Sequence, residues 1–450
     1  MLGNTNSETG PAVAAALSAQ PETALAVRAA AEDCLAQLGG GGARACDLAM
    51  VFFSSHHTEQ ADAISRDVRS MLRPVNCIGV SAESVLGGAI ELERAPGVAI
   101  LALSLPGVRL SAFTSDSFPP LDANEKEHVA VLAGGVGAAD DSAATFVFAD
   151  PFSIPVLQLV PALNKARKLD SGGRPIGRII GGLASAARAP GGNALFLDGK
   201  VARFGAVGVT LSGNVSVGTI VSQGCRAVGH PMLITRAKNN LILQLGGKPA
   251  RDVMREVVNE MDPGDRGALS GGLFLGRVIN EYKPRFGRDD FLIRAVVGED
   301  PASGSIAVAD FVRAGQTVQF HVRDADTAAQ DLSLLLDGQR LHERPAGGLL
   351  VTCNGRGTRL FQDKNHDAGA ICRAFGHVTA GEQLAKPGAI ITPSFVPGSG
   401  ANGNFPLAGF FASGEVAPVG DESFLHGNSA CLTVFRGRER SSAAERERGR

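Results

Sequence analysis

The sequence predicts a mixed α/β fold in which layered sheets and helices repeat a strand–helix–turn–strand module. Three observations predict it: short apolar stretches of strand length, helical stretches with one apolar face, and glycine-rich turns between them. The chain has 450 residues, of which 57 are glycine, so frequent tight turns are expected. Hydrophobic residues make up 44% and charged residues 20%, the balance of a folded protein with sizeable cores.

The first segment, residues 1–46, is predicted to be helical or loosely structured. Ala12–Leu38 is rich in alanine and leucine and is expected to form a helix that restarts after Ser18–Glu22. The glycines of Gly39–Gly42 are expected to end that helix, because glycine is a poor helix former.

The module then occurs three times. The first copy has a strand at Leu48–Phe53, a helix at Gln60–Leu72, a small-residue turn at Cys77–Val85 and a closing strand at Gly97–Leu105. The second copy places these elements at Thr145–Ala149, Ile154–Lys168, Ile179–Ser185 and Ala206–Leu211, and the third at Leu349–Cys353, His366–Phe375, Leu407–Glu415 and Ser429–Phe435. The shared order predicts a structural duplication, with chance similarity as the alternative.

Between the second and third copies the pattern changes. Pro249 opens a helix that Asp262–Gly264 is expected to close, and Thr327 has the spacing of a capping box for a further helix. Three β-branched stretches predict strands at Phe291–Val297, Ser305–Ala309 and Thr317–Arg323. Two segments are predicted to be mobile, an insertion at about residues 386–404 and an Arg/Glu-rich tail at 436–450.

Charge and cysteine content exclude several classes of function. With 43 basic and 45 acidic side chains the net charge is −2, which gives no electrostatic basis for a nucleic-acid partner. No apolar run reaches the roughly 18 residues that cross a bilayer, so no membrane association is expected. A cytoplasmic location is predicted, with a plastid as the alternative. The seven cysteines form no C-x-x-C pair, which argues against a zinc site and a disulfide framework.

The strongest candidate site follows the strand that ends at Cys353. The sequence Cys353–Gly357 is expected to join a strand to a helix, where backbone N–H groups bind anions and lower a thiol pKa. Arg356 and Arg359 are candidates to clamp a ligand carboxylate, and Asn354 lies in the same turn. The structural alternative is a buried cysteine beside an ordinary Gly-x-Gly turn.

Glu415 and His426 complete the predicted site. A carboxylate at Glu415 would hold the ammonium group of an amino acid, Arg356 its carboxylate, and His426 would sense protonation near neutral pH. Replacing Arg356 with Ala is predicted to weaken binding without unfolding the protein. Ser81 and Ser185 lie at matching turns and are further candidate ligand donors. The alternatives are turn caps and a surface ion pair of Glu415.

Ten short stretches carry a family resemblance. They are Ile78–Val85, Gly181–Ser185, Gly192–Phe196, Gly205–Gly213, Gln223–Arg226, Asp290–Arg294, Gln319–Asp324, Cys353–Gly357, Gly409–Glu415 and Phe424–Gly427. In this order they resemble the FIST-domain proteins of the stand-alone cyanobacterial and algal type, which are related to the FIST region of F-box proteins. The resemblance places a FIST N domain at residues 47–248 and a FIST C domain at 249–435.

The resemblance implies a sensory, signal-transducing protein that binds an amino acid or a similar small polar ligand and presents a surface to a protein partner. In some bacterial members the implied ligand is haem, for which His230 is the candidate axial ligand; no metal and no other cofactor is expected. One alternative is a scaffold or ubiquitin-pathway adaptor without a ligand. The other is a thiol enzyme using Cys353 or Cys225 with His426 or His230.

Overall fold

Three copies of one structural unit, which we call repeats 1, 2 and 3, build most of the protein. The computed structural model describes residues 10–39, 45–122, 124–283, 285–287, 290–376 and 405–438. Repeat 1 spans Ala12–Ser104, repeat 2 spans Val108–Gly213, and repeat 3 spans Ser216–Arg436. Each repeat follows the order strand, helix, strand, helix, strand, hairpin, strand.

The repeats consist of the following elements. Repeat 1 contains β1 (Ala12–Ser18), α1 (Thr23–Gln37), β2 (Leu48–Ser54), α2 (Ala61–Leu72), β3 (Asn76–Ala82), the hairpin β4 (Val85–Gly87) and β5 (Ile90–Leu92), and β6 (Val98–Ser104). Repeat 2 contains β7 (Val108–Thr114), α3 (Lys126–Gly135), β8 (Ser142–Ala149), α4 (Val156–Ala166), β9 (Ile179–Leu183), the hairpin β10 (Leu195–Leu197) and β11 (Lys200–Ala202), and β12 (Ala206–Gly213).

Repeat 3 is interrupted after its first strand by a second domain. That strand is β13 (Ser216–Ser222). The inserted domain contains β14 (Arg226–Lys238), β15 (Leu241–Leu245), β16 (Lys248–Pro249), α5 (Ala250–Glu260), α6 (Pro263–Ala268), β17 (Leu273–Val278), β18 (Phe291–Asp300), β19 (Ser305–Val308) and β20 (Thr317–Val322). Repeat 3 then continues with α7 (Ala325–Gly338), β21 (Gly347–Cys353), α8 (His366–Phe375), β22 (Leu407–Ala412), the hairpin β23 (Glu415–Val419) and β24 (Glu422–His426), and β25 (Ala430–Arg436).

The three repeats are joined by a cyclic exchange of hairpins. The sheet orders are β1-β6-β2-β3-β10-β11, β7-β12-β8-β9-β23-β24 and β13-β25-β21-β22-β4-β5. In each sheet the second and third strands of a repeat run parallel, as in β2–β3, and the hairpin of the next repeat completes the edge. Because each hairpin belongs to one repeat and pairs with another, the three sheets depend on one another.

The inner faces of the three sheets share one apolar core. At its centre Phe52 stacks on Phe410 with ring centroids 5.3 Å apart, and both contact Phe148 edge to face. Each of these rings comes from a different repeat, and burying one contributes about 3 kcal/mol. Helices cover the outer faces: α1 and α2 pack on the first sheet, α3 and α4 on the second, α7 and α8 on the third.

The inserted domain has a core of its own. Its strands are ordered β14-β20-β17-β18-β19-β15-β16, and an additional β14–β15 pairing closes six of them into a barrel. Side chains of α5 and α6 pack into this core. The domain leaves repeat 3 after β13 and returns at Asp324, so its two connecting ends lie next to repeat 3.

The mixed α/β prediction and the threefold repetition of the module are confirmed. The expected helices of the three copies are α2, α4 and α8, and the closing strands are β6, β12 and β25. The expected small-residue turns are wrong in part, because β3, β9 and β22 occupy most of them. Their glycines permit close strand contact: a Cβ atom on Gly181 would lie 1.8 Å from the Val147 carbonyl oxygen.

The helix expected from residue 12 is wrong in its first part. Ala12–Ser18 forms β1, which pairs antiparallel with β6 through contacts such as Ala15 opposite Leu101. Both faces of this strand are buried, one against the shared core and the other against α1 and α2. A strand buried on both faces shows no alternation of polarity, so its alanines suggested a helix that tertiary pairing overrides.

One helix start differs from the prediction. Asp324, not Thr327, caps α7, because its carboxylate accepts a hydrogen bond of 2.7 Å from the Thr327 N–H. The helix α5 begins after Pro249 and ends at Glu260, just before Asp262–Gly264, as expected. Asp262 in addition caps α6, since it accepts from the Asp265 N–H at 2.8 Å. The predicted mobile insertion at 386–404 lies outside the described residues, as does the tail beyond residue 438.

Candidate functional site

Equivalent positions of the three repeats lie where the parallel strands end. One such position is occupied by Ser54 in repeat 1, Asp150 in repeat 2 and Cys353 in repeat 3. In each repeat the backbone N–H of this residue donates, at 2.9 Å, to the carbonyl oxygen of the residue just before the last strand. The accepting residues are Gly97, Gly205 and Ser429. Two repeats therefore have glycine where repeat 3 has a serine.

A second position distinguishes repeat 3 more strongly. The first hairpin residues are Val85, Leu195 and Glu415, each paired with the third strand of a neighbouring repeat. Two are apolar members of the shared core, whereas Glu415 is a carboxylic acid that is 0% exposed. Since burying a polar group without full compensation destabilises a fold, this substitution marks the strand end of repeat 3 as the candidate site.

Glu415 is only partly satisfied by hydrogen bonds. Its Oε2 accepts from the Ser429 N–H at 3.1 Å and from the Ser429 hydroxyl at 2.6 Å. Its Oε1 has no hydrogen-bond partner within the described residues. Burial raises the pKa of Glu415 to about 8, although the hydrogen bonds from Ser429 and the adjacent Cys353 thiol oppose this. The side chain is therefore mostly protonated at neutral pH.

Arg356 pairs with an internal carboxylate. Its Nε and Nη2 donate to the Oδ2 and Oδ1 of Asp367 at 2.6 and 2.8 Å, and both side chains are essentially inaccessible. Although burial opposes it, the charge of Arg356 holds the pKa of Asp367 well below its usual range. The bidentate clamp expected for a ligand is thus occupied by the protein's own carboxylate. Removing Arg356 would leave Asp367 buried and unpaired, so we expect Arg356→Ala to destabilise the fold.

The rest of the loop after β21 is held by repeat 1. Arg359 donates to both carboxylate oxygens of Glu83 at 2.7 and 2.8 Å. Glu93 accepts from the N–H and hydroxyl of Thr358 at 2.8 and 2.6 Å. The Oδ1 of Asn354 is buried and has no hydrogen-bond partner in the part of the chain that the structure describes. The predicted clamp residue Arg359 therefore fixes the loop, while Asn354 leaves an acceptor free.

At Cys353 the structure favours the alternative of a buried cysteine over an activated thiol. Burial, reinforced by the neighbouring Glu415, raises the pKa of Cys353 to about 12. The residues that follow form a loop and a single 3-10 turn at Gly357–Arg359, and α8 begins only at His366. No helix N-terminus therefore adjoins the thiol, and its ionised form is disfavoured.

The expectation that His426 senses pH near neutrality is wrong. His426 is 3% exposed, and its Nε2 makes a hydrogen bond of 3.0 Å with the Ala417 carbonyl oxygen. Burial, together with the positive charge of Arg294, lowers the pKa of His426 to about 3. The imidazole is therefore neutral at physiological pH, although it lies opposite Glu415 in the β23–β24 ladder.

The remaining predicted residues lie outside the cluster. The Ser81 hydroxyl accepts from the Ala194 N–H at 2.8 Å, and the Ser185 hydroxyl accepts from the Glu83 N–H at 2.9 Å. Both hydroxyls thus join neighbouring segments instead of facing an open cavity. His230 is exposed at an irregularity of β14.

Sequence reasoning missed several residues of the site. Arg323, at the end of β20, is 6% exposed and donates to Asn428 Oδ1 at 3.2 Å. It lies within one of the stretches that carry the family resemblance, and Ser429 is recognisable because it replaces the glycine of the other repeats. We call the following residues the strand-end cluster: Arg323, Cys353, Asn354, Arg356, Glu415, Asn428 and Ser429.

Other kinds of site find little support. Across the described ranges, no group of three His, Cys, Asp or Glu side chains is arranged to hold a metal ion. No helix in those ranges combines the length and apolarity needed to cross a membrane. Two surface cavities, of about 700 and 340 Å³, are lined by residues outside the strand-end cluster.

Comparison with known proteins adds the following. The FIST N domain model matches residues 47–248 and the FIST C domain model matches residues 250–385. An uncharacterized protein of Mycobacterium tuberculosis (strain H37Rv) is 35% identical over 426 residues, covering 93% of this chain and 98% of its own length. An uncharacterized protein of Mycobacterium bovis is 34% identical over 390 residues, covering 86% of this chain and 90% of its own length.

Solved structures give only a weak likeness. A cyanuric acid hydrolase aligns with 95% of this chain and 100% of its own, with 8% identity and a TM-score of 0.30. The cyanuric acid hydrolase of A. caulinodans aligns over the same shares with a TM-score of 0.29. Such scores are too low to show a shared fold. The sequence matches are decisive, and the chain belongs to the family of proteins that carry a FIST N domain followed by a FIST C domain.

Proposed function

We propose that this FIST-domain protein binds a small polar ligand, such as an amino acid, at the strand-end cluster and acts as a sensor. One observation carries the proposal: four buried polar atoms of the cluster lack hydrogen-bond partners among the described residues. They are Arg323 Nε, Arg356 Nη1, Glu415 Oε1 and Asn354 Oδ1. Most buried polar groups in native proteins have a partner, and a ligand or water would supply one here.

The unpartnered atoms suit a ligand of mixed polarity. The Arg356 N–H is a donor and the Asn354 oxygen an acceptor, while Glu415 provides either function according to its protonation. A small ligand with both an acidic and a basic group would satisfy donors and acceptors together. The half-buried positions Cys353, Asn354 and Asn428 give the ligand its approach to the cluster.

The location of the cluster supports a sensory role. Glu415 belongs to a hairpin that pairs with repeat 2, Arg356 lies in a loop held by repeat 1, and Arg323 ends the inserted barrel. A ligand that contacts all three would favour the arrangement in which they are closest. A partner protein that reads the surface between the barrel and the repeats would then respond to the ligand.

Native mass spectrometry of the freshly purified protein, followed by thermal shift with each amino acid, tests the proposal. A retained small molecule, or a saturable rise in Tm, is expected for the native chain. The control is the double variant E415V/S429G, which gives repeat 3 the Val85–Gly97 combination of repeat 1 and should fold without binding. If the native chain neither retains a molecule nor gains stability, or if the control binds equally well, this function is refuted.

A further inference from the structure

Arg323 is a buried arginine whose hydrogen-bond partners are all neutral. Its Nη1 donates to Asn428 Oδ1 at 3.2 Å, and Nη1 and Nη2 reach the Gly355 carbonyl oxygen at 3.5 and 3.4 Å. Its Nε has no hydrogen-bond partner in the described part of the chain. These contacts are long, and neither acceptor carries a charge that would neutralise the guanidinium group.

Another buried arginine shows the usual arrangement. Arg294 of β18 has a side chain that is 10% exposed, and its Nε donates at 2.9 Å to the carboxylate of Asp310. Buried charges in proteins are normally paired in this way, because an isolated ion is expensive to remove from water. Arg323 departs from this arrangement at nearly the same degree of burial.

Among the described residues, no carboxylate is hydrogen-bonded to Arg323. Burial, together with the nearby positive charge of Arg356, lowers the pKa of Arg323, and the charge of Asp367 opposes this. Asp367 is itself the bidentate partner of Arg356. Arg323 therefore has no directly paired counter-charge within the strand-end cluster.

We propose that the strand-end cluster binds the anionic group of its ligand, a carboxylate or another small oxyanion, through Arg323. The proposal rests on the proposed function and adds to it the charge of the bound group and the residue that anchors it. The two N–H groups without partners, Arg323 Nε and Arg356 Nη1, would donate to the oxyanion. Charge-assisted bonds of this kind are about twice as strong as neutral ones.

The test measures the stability of the full chain in formate, acetate and phosphate against fluoride at equal ionic strength. The native chain is expected to gain Tm in a saturable manner with at least one of the three oxyanions. Arg323→Gln should abolish that gain. Arg294→Gln, which removes a paired buried arginine, should lower Tm in every salt but keep the dependence on the oxyanion.

Two results would overturn the proposal: saturable stabilisation that is the same in Arg323→Gln, or no saturable stabilisation of the native chain by any of the three oxyanions. If Arg323→Gln does not fold, Arg323→Lys replaces it; this variant keeps the charge but loses the planar fork, and at least tenfold weaker oxyanion binding is expected. An amino acid that binds the native chain and both Arg323 variants equally would leave the proposed function intact and refute only the anion anchor.

Discussion

The carboxyl group of Glu415 makes the stability of the fold depend on pH in a predictable direction. Its pKa is raised from 4.5 to about 8 by burial. A group whose pKa is higher in the folded state contributes stability that is complete below pH 4.5 and is lost as pH rises through 8. Replacing Glu415 with Gln keeps the shape of the side chain and removes its titration. The variant should therefore lose this part of the pH dependence.

The useful window lies between pH 6.5 and 8. Buried histidines such as His321, whose pKa is lowered from 6.5 to about 4 by burial, act in the opposite direction below that window. Between pH 6.5 and 8, a carboxyl group that is protonated in the folded state and ionised in the unfolded state lowers the free energy of unfolding by about 1.4 kcal/mol for each unit of pH. Since Glu415 is half ionised near pH 8, its contribution over the window amounts to about 2 kcal/mol.

Chemical denaturation at a series of pH values measures this contribution. The free energy of unfolding of the native chain should fall from pH 6.5 to 8, and it should fall by about 2 kcal/mol less for E415Q. Glu91→Gln is the matched control, because burial and the neighbouring Asp367 also raise the pKa of Glu91 to about 8. Each single variant should remove the pH dependence that its own carboxyl group contributes to the free energy of unfolding, and the double variant should remove both contributions.

Equal pH slopes for the native chain and E415Q would refute the reasoning. That result would mean that Glu415 is already ionised at pH 6.5, with a carboxylate stabilised by the Ser429 hydrogen bonds and by Arg356. If the free energy of unfolding fell more steeply with pH in E415Q than in the native chain, both the burial of Glu415 and its incomplete hydrogen bonding would be contradicted.

Three further predictions concern neighbouring residues. Asp367→Asn should lower the free energy of unfolding by about 3–5 kcal/mol, because it leaves Arg356 buried without its counter-charge; a loss below about 1 kcal/mol in urea denaturation would contradict the buried pair. NMR should show no titration of the His426 ring between pH 5 and 8, whereas a midpoint near 6.5 for that ring would contradict its burial. Cys353 should react with a maleimide at pH 7 far more slowly than free cysteine, since burial raises its pKa to about 12; an equal rate measured by mass spectrometry would contradict that pKa.

Local sequence patterns predicted those parts of the fold whose periodicity reflects one-sided burial. In α2 the buried side chains include Ile64, Val68 and Leu72, which recur at helical spacing and face the sheet. β1 shows why the prediction failed at the N-terminus, because Ala12–Ser18 packs on both faces and its partners in β6 lie 80 to 92 residues away in sequence. Local propensity contains no information about such a distant partner.

The sequence placed Cys353, Arg356 and Glu415 near one another, and they do come together at the end of β21. That they bind a ligand stays a prediction. Their ionisation could not be derived from the sequence, since pKa values depend on burial and on partners such as Asp367 that only the fold defines. Arg323 lies in one of the stretches that carry the family resemblance, but its proximity to Glu415 could not be predicted, because it reaches the cluster from the end of the inserted barrel.

Comparing equivalent positions of the three repeats identifies Glu415 and Ser429 as unusual, which no single sequence motif does. Val85 and Leu195 pack in the shared core at the position where repeat 3 has Glu415. A Cβ atom on Gly97 would lie 2.6 Å from Val85 Cγ2, so repeat 1 has no room there for the serine that bonds Glu415 in repeat 3. The acid and Ser429 therefore form a matched pair, found in the repeat into which the barrel is inserted. Because the barrel contributes Arg323 to the same cluster, the departure from symmetry and the inserted domain come together at one place in the fold.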